Sequence, residues 1–169
     1  MVDLGGERLY EFMAWLEASF LGHAMRESGV WTYGVVNLVH ILSIASFFGA
    51  ILVLDLRLLG LWRNVALAAI SQPTVPIATA GFTVSLLTGI CLLATKATEY
   101  VGNPFFYIKL PAIALGLLNV VALGSLPAWR QHKQRDLSAQ EQSRLAIFGG
   151  ISLLCWLTAI TAGRMIGYW

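Results

Sequence analysis

Charge is what this chain has least of. Only 12% of its 169 residues are Asp, Glu, Lys or Arg, about half the share of an ordinary soluble domain. With 57% hydrophobic residues and a mean hydropathy of +0.72, that shortage excludes a water-soluble globular fold. The net charge of +2 is too small for a nucleic-acid-binding surface. Cysteine is nearly absent: Cys91 and Cys155 each lie inside an apolar run, which excludes a disulfide scaffold. Four methionines without clustering argue against a dedicated copper(I) channel. No internal repeat or low-complexity segment occurs. A cleaved signal peptide is not expected either, because Asp3, Glu7, Arg8, Glu11, Glu17, Arg26 and Glu27 interrupt the first 30 residues.

Long hydrophobic runs are what the chain has instead. Four of them, at residues 31–54, 76–94, 104–129 and 145–163, are of bilayer length, since about 20 apolar residues cross the hydrocarbon core. Without water in that core each backbone must satisfy its own polar groups, so these runs are expected as helices. The strict alternation of a membrane barrel is missing. The expected fold class is all-α: a four-transmembrane-helix bundle forming one membrane domain over 1–169. Its first 29 residues form an amphipathic helix on the outer surface, and 31–169 form the bundle.

Basic residues give the expected orientation. Arg57 and Arg63 follow the first span, and Arg130, Lys133, Arg135 and Arg144, with His132, follow the third. The connection between spans two and three has only Lys96 against Glu99, and the N-terminal segment is acid-rich. The positive-inside rule puts both basic connections in the cytoplasm and both termini outside. In a bacterium this means the inner membrane with periplasmic termini. In the N-terminal segment Leu9, Phe12, Met13, Leu16 and Phe20 recur at helical spacing, up to the break at Ser28-Gly29. Pro73 and Pro76 lead us to expect a short surface helix over 64–71 and the second span starting at one of these prolines. Gly81, Ser85 and Gly89 then offer a small-residue face for close helix packing.

The polar residues inside the spans carry the chemistry. His40 falls about 14 Å past Trp31 at the helical rise, near mid-membrane, where an ionisable side chain marks a functional site by default. Tyr33, Asn37, His40 and Ile44 share one stripe; Lys109, Ala112, Gly116 and Asn119 form another; Thr158 and Thr161 lead to Arg164. The expected packing turns His40, Asn37, Lys109 and Arg164 toward one interior. Haem in a bundle needs an imidazole on iron and cationic or amide partners for its propionates. His40 below Lys109 and Arg164 supplies this, with Phe47, Phe48, Phe82 and Trp156 as ring contacts. His23 shares the apolar face of the N-terminal helix and is the candidate second iron ligand. The bland alternatives are a His40 hydrogen-bonded to a neighbouring helix, snorkelling Lys109 and Arg164, and an interfacial His23.

Beyond these patterns, Trp15-Leu16-Glu17, Val39-His40-Ile41-Leu42 and Leu54-Asp55-Leu56-Arg57-Leu58-Leu59-Gly60 resemble a DUF6644-like family of small bacterial four-helix membrane proteins of unknown function. Thr88-Gly89, Asn103-Pro104-Phe105 and Ile108-Lys109-Leu110 followed by Asn119 extend the resemblance. A looser likeness reaches copper-resistance D-type domains and membrane haem-b protoporphyrinogen oxidases; it implies roles for His40 and Lys109, while Asn119 stands where a second histidine would be sought. Four readings follow. The first is a b-type haem protein passing electrons between a quinone or redox partner protein and the outer side. The others are a copper-handling protein, for which Met25, Met165 and Cys155 are the soft ligands; a non-catalytic accessory subunit assembling as a homo- or hetero-oligomer through small-residue faces; and a porphyrinogen oxidase-like enzyme.

Overall fold

In the computed structural model, which describes residues 4–169, the apolar runs do become helices, and no strand occurs among the described residues. The helices are α1 (Leu4–Ala18), α2 (Phe20–Glu27), α3 (Gly29–Leu59), α4 (Leu67–Thr95), α5 (Pro104–Ser125), α6 (Pro127–Gln131) and α7 (Ala139–Met165). Four of them, α3, α4, α5 and α7, are long and apolar enough to cross a membrane. Their outward faces are large and apolar, Leu38, Ile41, Leu118, Val121 and Leu154 among them. A bilayer, not water, suits such a surface. The protein is a multi-pass membrane helical bundle.

The N-terminal segment is two helices where the periodicity suggested one. Ser19 separates them: its hydroxyl accepts from Gly22 N at 3.3 Å as the cap of α2 and donates to Leu16 O at 2.6 Å. The apolar stripe is therefore cut before Phe20, which is 89% exposed, while Met13, Leu9 and Leu16 pack on Ala97, Tyr100 and Phe106. The pair thus caps one end of the bundle. Gly29, at φ +81, makes the turn into α3, a conformation glycine adopts without strain.

Two span boundaries differ from expectation. α4 runs unbroken through Pro73 and Pro76 from Leu67, so no separate helix covers 64–71. Thr74 Oγ1 donates to Ile70 O at 2.7 Å within the proline-bearing turns, and membrane helices tolerate proline where surrounding groups meet the backbone's needs. α5 ends at Ser125 rather than Trp129. Pro127 forces Leu126 to an extended ψ of 133, and Trp129 falls in the short α6. At the far end of α3, Gly60 takes φ +108 while Leu61 N bonds back to Leu56 O, a Schellman-type stop. A capping box of Ser138 and Glu141 starts α7.

α3 packs along α4 and α7, and α5 along α7. α4 comes so close to α3 that a Cβ on Gly81 would lie 2.8 Å from Phe47 N. At mid-height Phe47, Phe82 and Trp156 pack on one another, with centroids 4.7 to 5.8 Å apart. Gly116 of α5 makes room for the indole. Below them Leu54, Leu58, Leu67, Leu123 and Leu145 fill the end that bears most of the arginines, called here the basic end.

Candidate functional site

His40 of α3 leans across to α4. Its imidazole lies over Gly89, where a Cβ would meet Cε1 at 3.1 Å, so a larger residue there would push on the ring. Nδ1 is 2.9 Å from Thr88 Oγ1. Thr88 has one hydroxyl proton, and it points to its own helix, at 2.7 Å from Val84 O. Its oxygen is therefore the acceptor, and His40 Nδ1–H is the donor. The Ser85 carbonyl, 3.3 Å from Thr88 Oγ1, also accepts from the ring; with the proton on Nδ1, Nε2 carries the lone pair and is not sealed away from the surface. An imidazole held by one nitrogen with the other free is how proteins orient a metal-ligating histidine.

Lys109 of α5 is the one predicted cation the structure brings near His40. It is half-buried, its Nζ lies 3.5 Å from where a Cβ of Gly163 would be, and its charge is within electrostatic reach of the imidazole. Asn37 is half-buried one turn above His40. The other expected members stand elsewhere. Arg164 is exposed, donates to the Tyr168 hydroxyl and stacks over that ring at 4.6 Å. Asn119 is buried, but its amide donates to Phe148 O at 3.0 Å and ties α5 to α7. His23 is exposed beside Glu27, with Nδ1 4.0 Å from the carboxylate. Phe47, Phe82 and Trp156 fill the core with one another, leaving the surroundings of His40 on the capped side of that layer. Cys91 and Cys155 are free and half-buried. Among the described residues no three His, Cys, Asp or Glu side chains gather as a metal site.

The charged end of the first span is not a solvated turn, as its sequence suggested, but part of the buried interior. Asp55 is 3% exposed and Arg57 5%. Arg57 Nε donates to Val65 O at 2.9 Å and a guanidinium nitrogen to Gln142 Oε1 at 3.1 Å, while Gln142 Nε2 donates to Leu58 O at 2.8 Å. This clasp joins α3, its following loop and α7. His132 is likewise buried: Nδ1 donates to Trp129 O, and Nε2 accepts from Ser71 Oγ at 2.7 Å. The signal for Asp55 was present in the sequence, since it lies four and eight residues past Ile51 and Phe47 on the stripe facing the core.

At the capped end, Glu17 accepts from Thr98 N at 2.9 Å and from Thr98 Oγ1 at 2.8 Å. These bonds hold its carboxyl below the usual carboxylate range, with the backbone bond the main cause. Arg26 bonds both Thr95 O and Glu17 O, so a polar latch joins α1 and α2 to the end of α4. At the basic end, Arg135 draws the half-buried Glu141 carboxyl down to about 2.

Residues 12–169 match the model of a family of unknown function, DUF6644. No curated protein and no solved structure matches the chain.

Proposed function

The chain belongs to DUF6644, a family of unknown function, and from the His40 site we propose that it is a b-type haem-binding membrane protein that passes electrons. The observation that carries this reading is the orientation of His40: Thr88 holds Nδ1–H and leaves the Nε2 lone pair free. His40 Nε2 would hold the iron, and Lys109, a half-buried ammonium with no ion-pair partner among the described residues, would hold a propionate. The closed aromatic layer of Phe47, Phe82 and Trp156 keeps a macrocycle on its capped side. His23 is exposed beside Glu27, so in this reading His40 is the axial ligand and any second one comes from outside the bundle. When bound, haem would supply one-electron chemistry to a quinone or a redox partner protein. The basic end faces the cytoplasm of a bacterial inner membrane in this reading, and both termini face the periplasm.

The test is an absorption spectrum of the protein purified from haem-replete cells. A Soret band that Lys109→Gln weakens or shifts is the expected result. A colourless preparation overturns the reading, and one that contains copper by metal analysis points to the copper-handling alternative.

A further inference from the structure

The structure holds a second polar centre, some 15 residues along α3 from His40, that the haem reading does not use. Asp55 is 3% exposed, and its Oδ2 is buried with no hydrogen-bond partner. A bare carboxylate in such a place would forfeit its hydration for no more than the Ser152 hydroxyl. No cationic side chain forms an ion pair with it among the described residues. On α3 itself, Arg57 is committed to Val65 O and Gln142. From α7 come the backbone at Gly149, 3.1 Å from Asp55 O to a notional Cβ, and the Ser152 hydroxyl, which faces the carboxyl. Further along α7, Glu141 pairs with Arg135 and Arg144 is exposed. α4 offers Ser71 and Thr74, whose hydroxyls face their own helix and His132. α5 offers the neutral Asn119. His132 is held between Ser71 and Trp129.

We propose that Asp55 is a proton-binding site in the basic half of the bundle, filled from that surface. It lies four residues from the end of α3, about 6 Å at the helical rise, close enough to exchange with water beyond the loop at Gly60. The step is an O–H bond forming on a carboxylate oxygen of Asp55 as an O–H bond of hydronium breaks, leaving water behind. The neutral acid then suits its surroundings, with its hydroxyl as a donor toward the Ser152 side.

Infrared spectra of the full-length protein in lipid nanodiscs test this. The other carboxylates among the described residues are exposed or paired, as Glu17 with Thr98 and Glu141 with Arg135, so a protonated carboxyl band at neutral pH has one source. The band is expected in the wild type, absent in Asp55→Asn, and present at a shifted frequency in Asp55→Glu. It should exchange in heavy water and bleach reversibly as pH rises. Absence of the band in folded wild-type protein overturns the proposal. So does a band that survives Asp55→Asn, or one that neither exchanges nor titrates while the protein stays folded. Thermal stabilisation by sodium without the band would instead assign a cation to Asp55. None of these readouts involves haem.

Discussion

Thr88→Val separates the orientation of His40 from the packing around it. Valine matches the shape of threonine, so the ring keeps its seat over Gly89 and only the 2.9 Å bond to Nδ1 is lost. Inside a bilayer a single interhelical hydrogen bond contributes about 0.6 kcal/mol on average, so the fold should scarcely notice. Ligand affinity should notice more. Removing the partner that orients a metal-ligating imidazole weakens metal binding roughly 10–100-fold, which is about 1.4–2.7 kcal/mol. Binding should therefore fall by at least twice what stability loses. Thr88→Ser, which keeps the hydroxyl, should stay near wild type. The assay is titration of haem into apo-protein in micelles, followed at the Soret band, beside a thermal melt of the same variants. Unchanged haem affinity in Thr88→Val, with Thr88→Ser equal to it, would refute the argument that this bond orients the ligand.

Acid should open the cap. The Glu17 carboxyl is held below its usual 4.5 by Thr98, so the latch is intact above that value and lost as pH falls through the lowered one. The protection of the Thr98 amide, its exchange rate relative to the intrinsic rate at each pH, should fall in acid, and Glu17→Gln should be poorly protected at every pH; wild-type protection independent of carboxyl protonation would contradict this. Gly81→Ala should destabilise the bundle by about 1–3 kcal/mol, because the new Cβ meets Phe47 N at 2.8 Å and Ser43 O at 2.9 Å, backbone atoms that cannot step aside. Gly34→Ala, with nothing within 4 Å of its Cβ, is the control, and equal melting temperatures would refute the close approach of α3 and α4. Reporter fusions at the C-terminus should be active in the periplasm; cytoplasmic activity would reverse the proposed orientation.

The spans were legible because bilayer-length apolar runs admit few structures. Their ends were less so. Pro73 and Pro76 look like a boundary, but α4 continues through both; Pro127 ends α5 because it holds Leu126 extended. His40 could be singled out by depth, and its bond to a threonine of the second span is one of the expected readings; that the threonine is Thr88, 48 residues away, follows only from how α3 and α4 pack. Arg164 shared a stripe with threonines, but Tyr168 one turn later draws it outward. Asp55 and Arg57 read as a solvated helix end because charge usually is solvated. The apolar period around them pointed inward all the same.

The haem-to-protein ratio of His40→Gly, purified from haem-replete cells with and without added imidazole, reads directly whether His40 Nε2 holds the proposed iron. Near-complete loss of haem and of the Soret band is expected without imidazole, with both restored when imidazole fills the vacated seat over Gly89. A variant that keeps wild-type haem content without imidazole would contradict it.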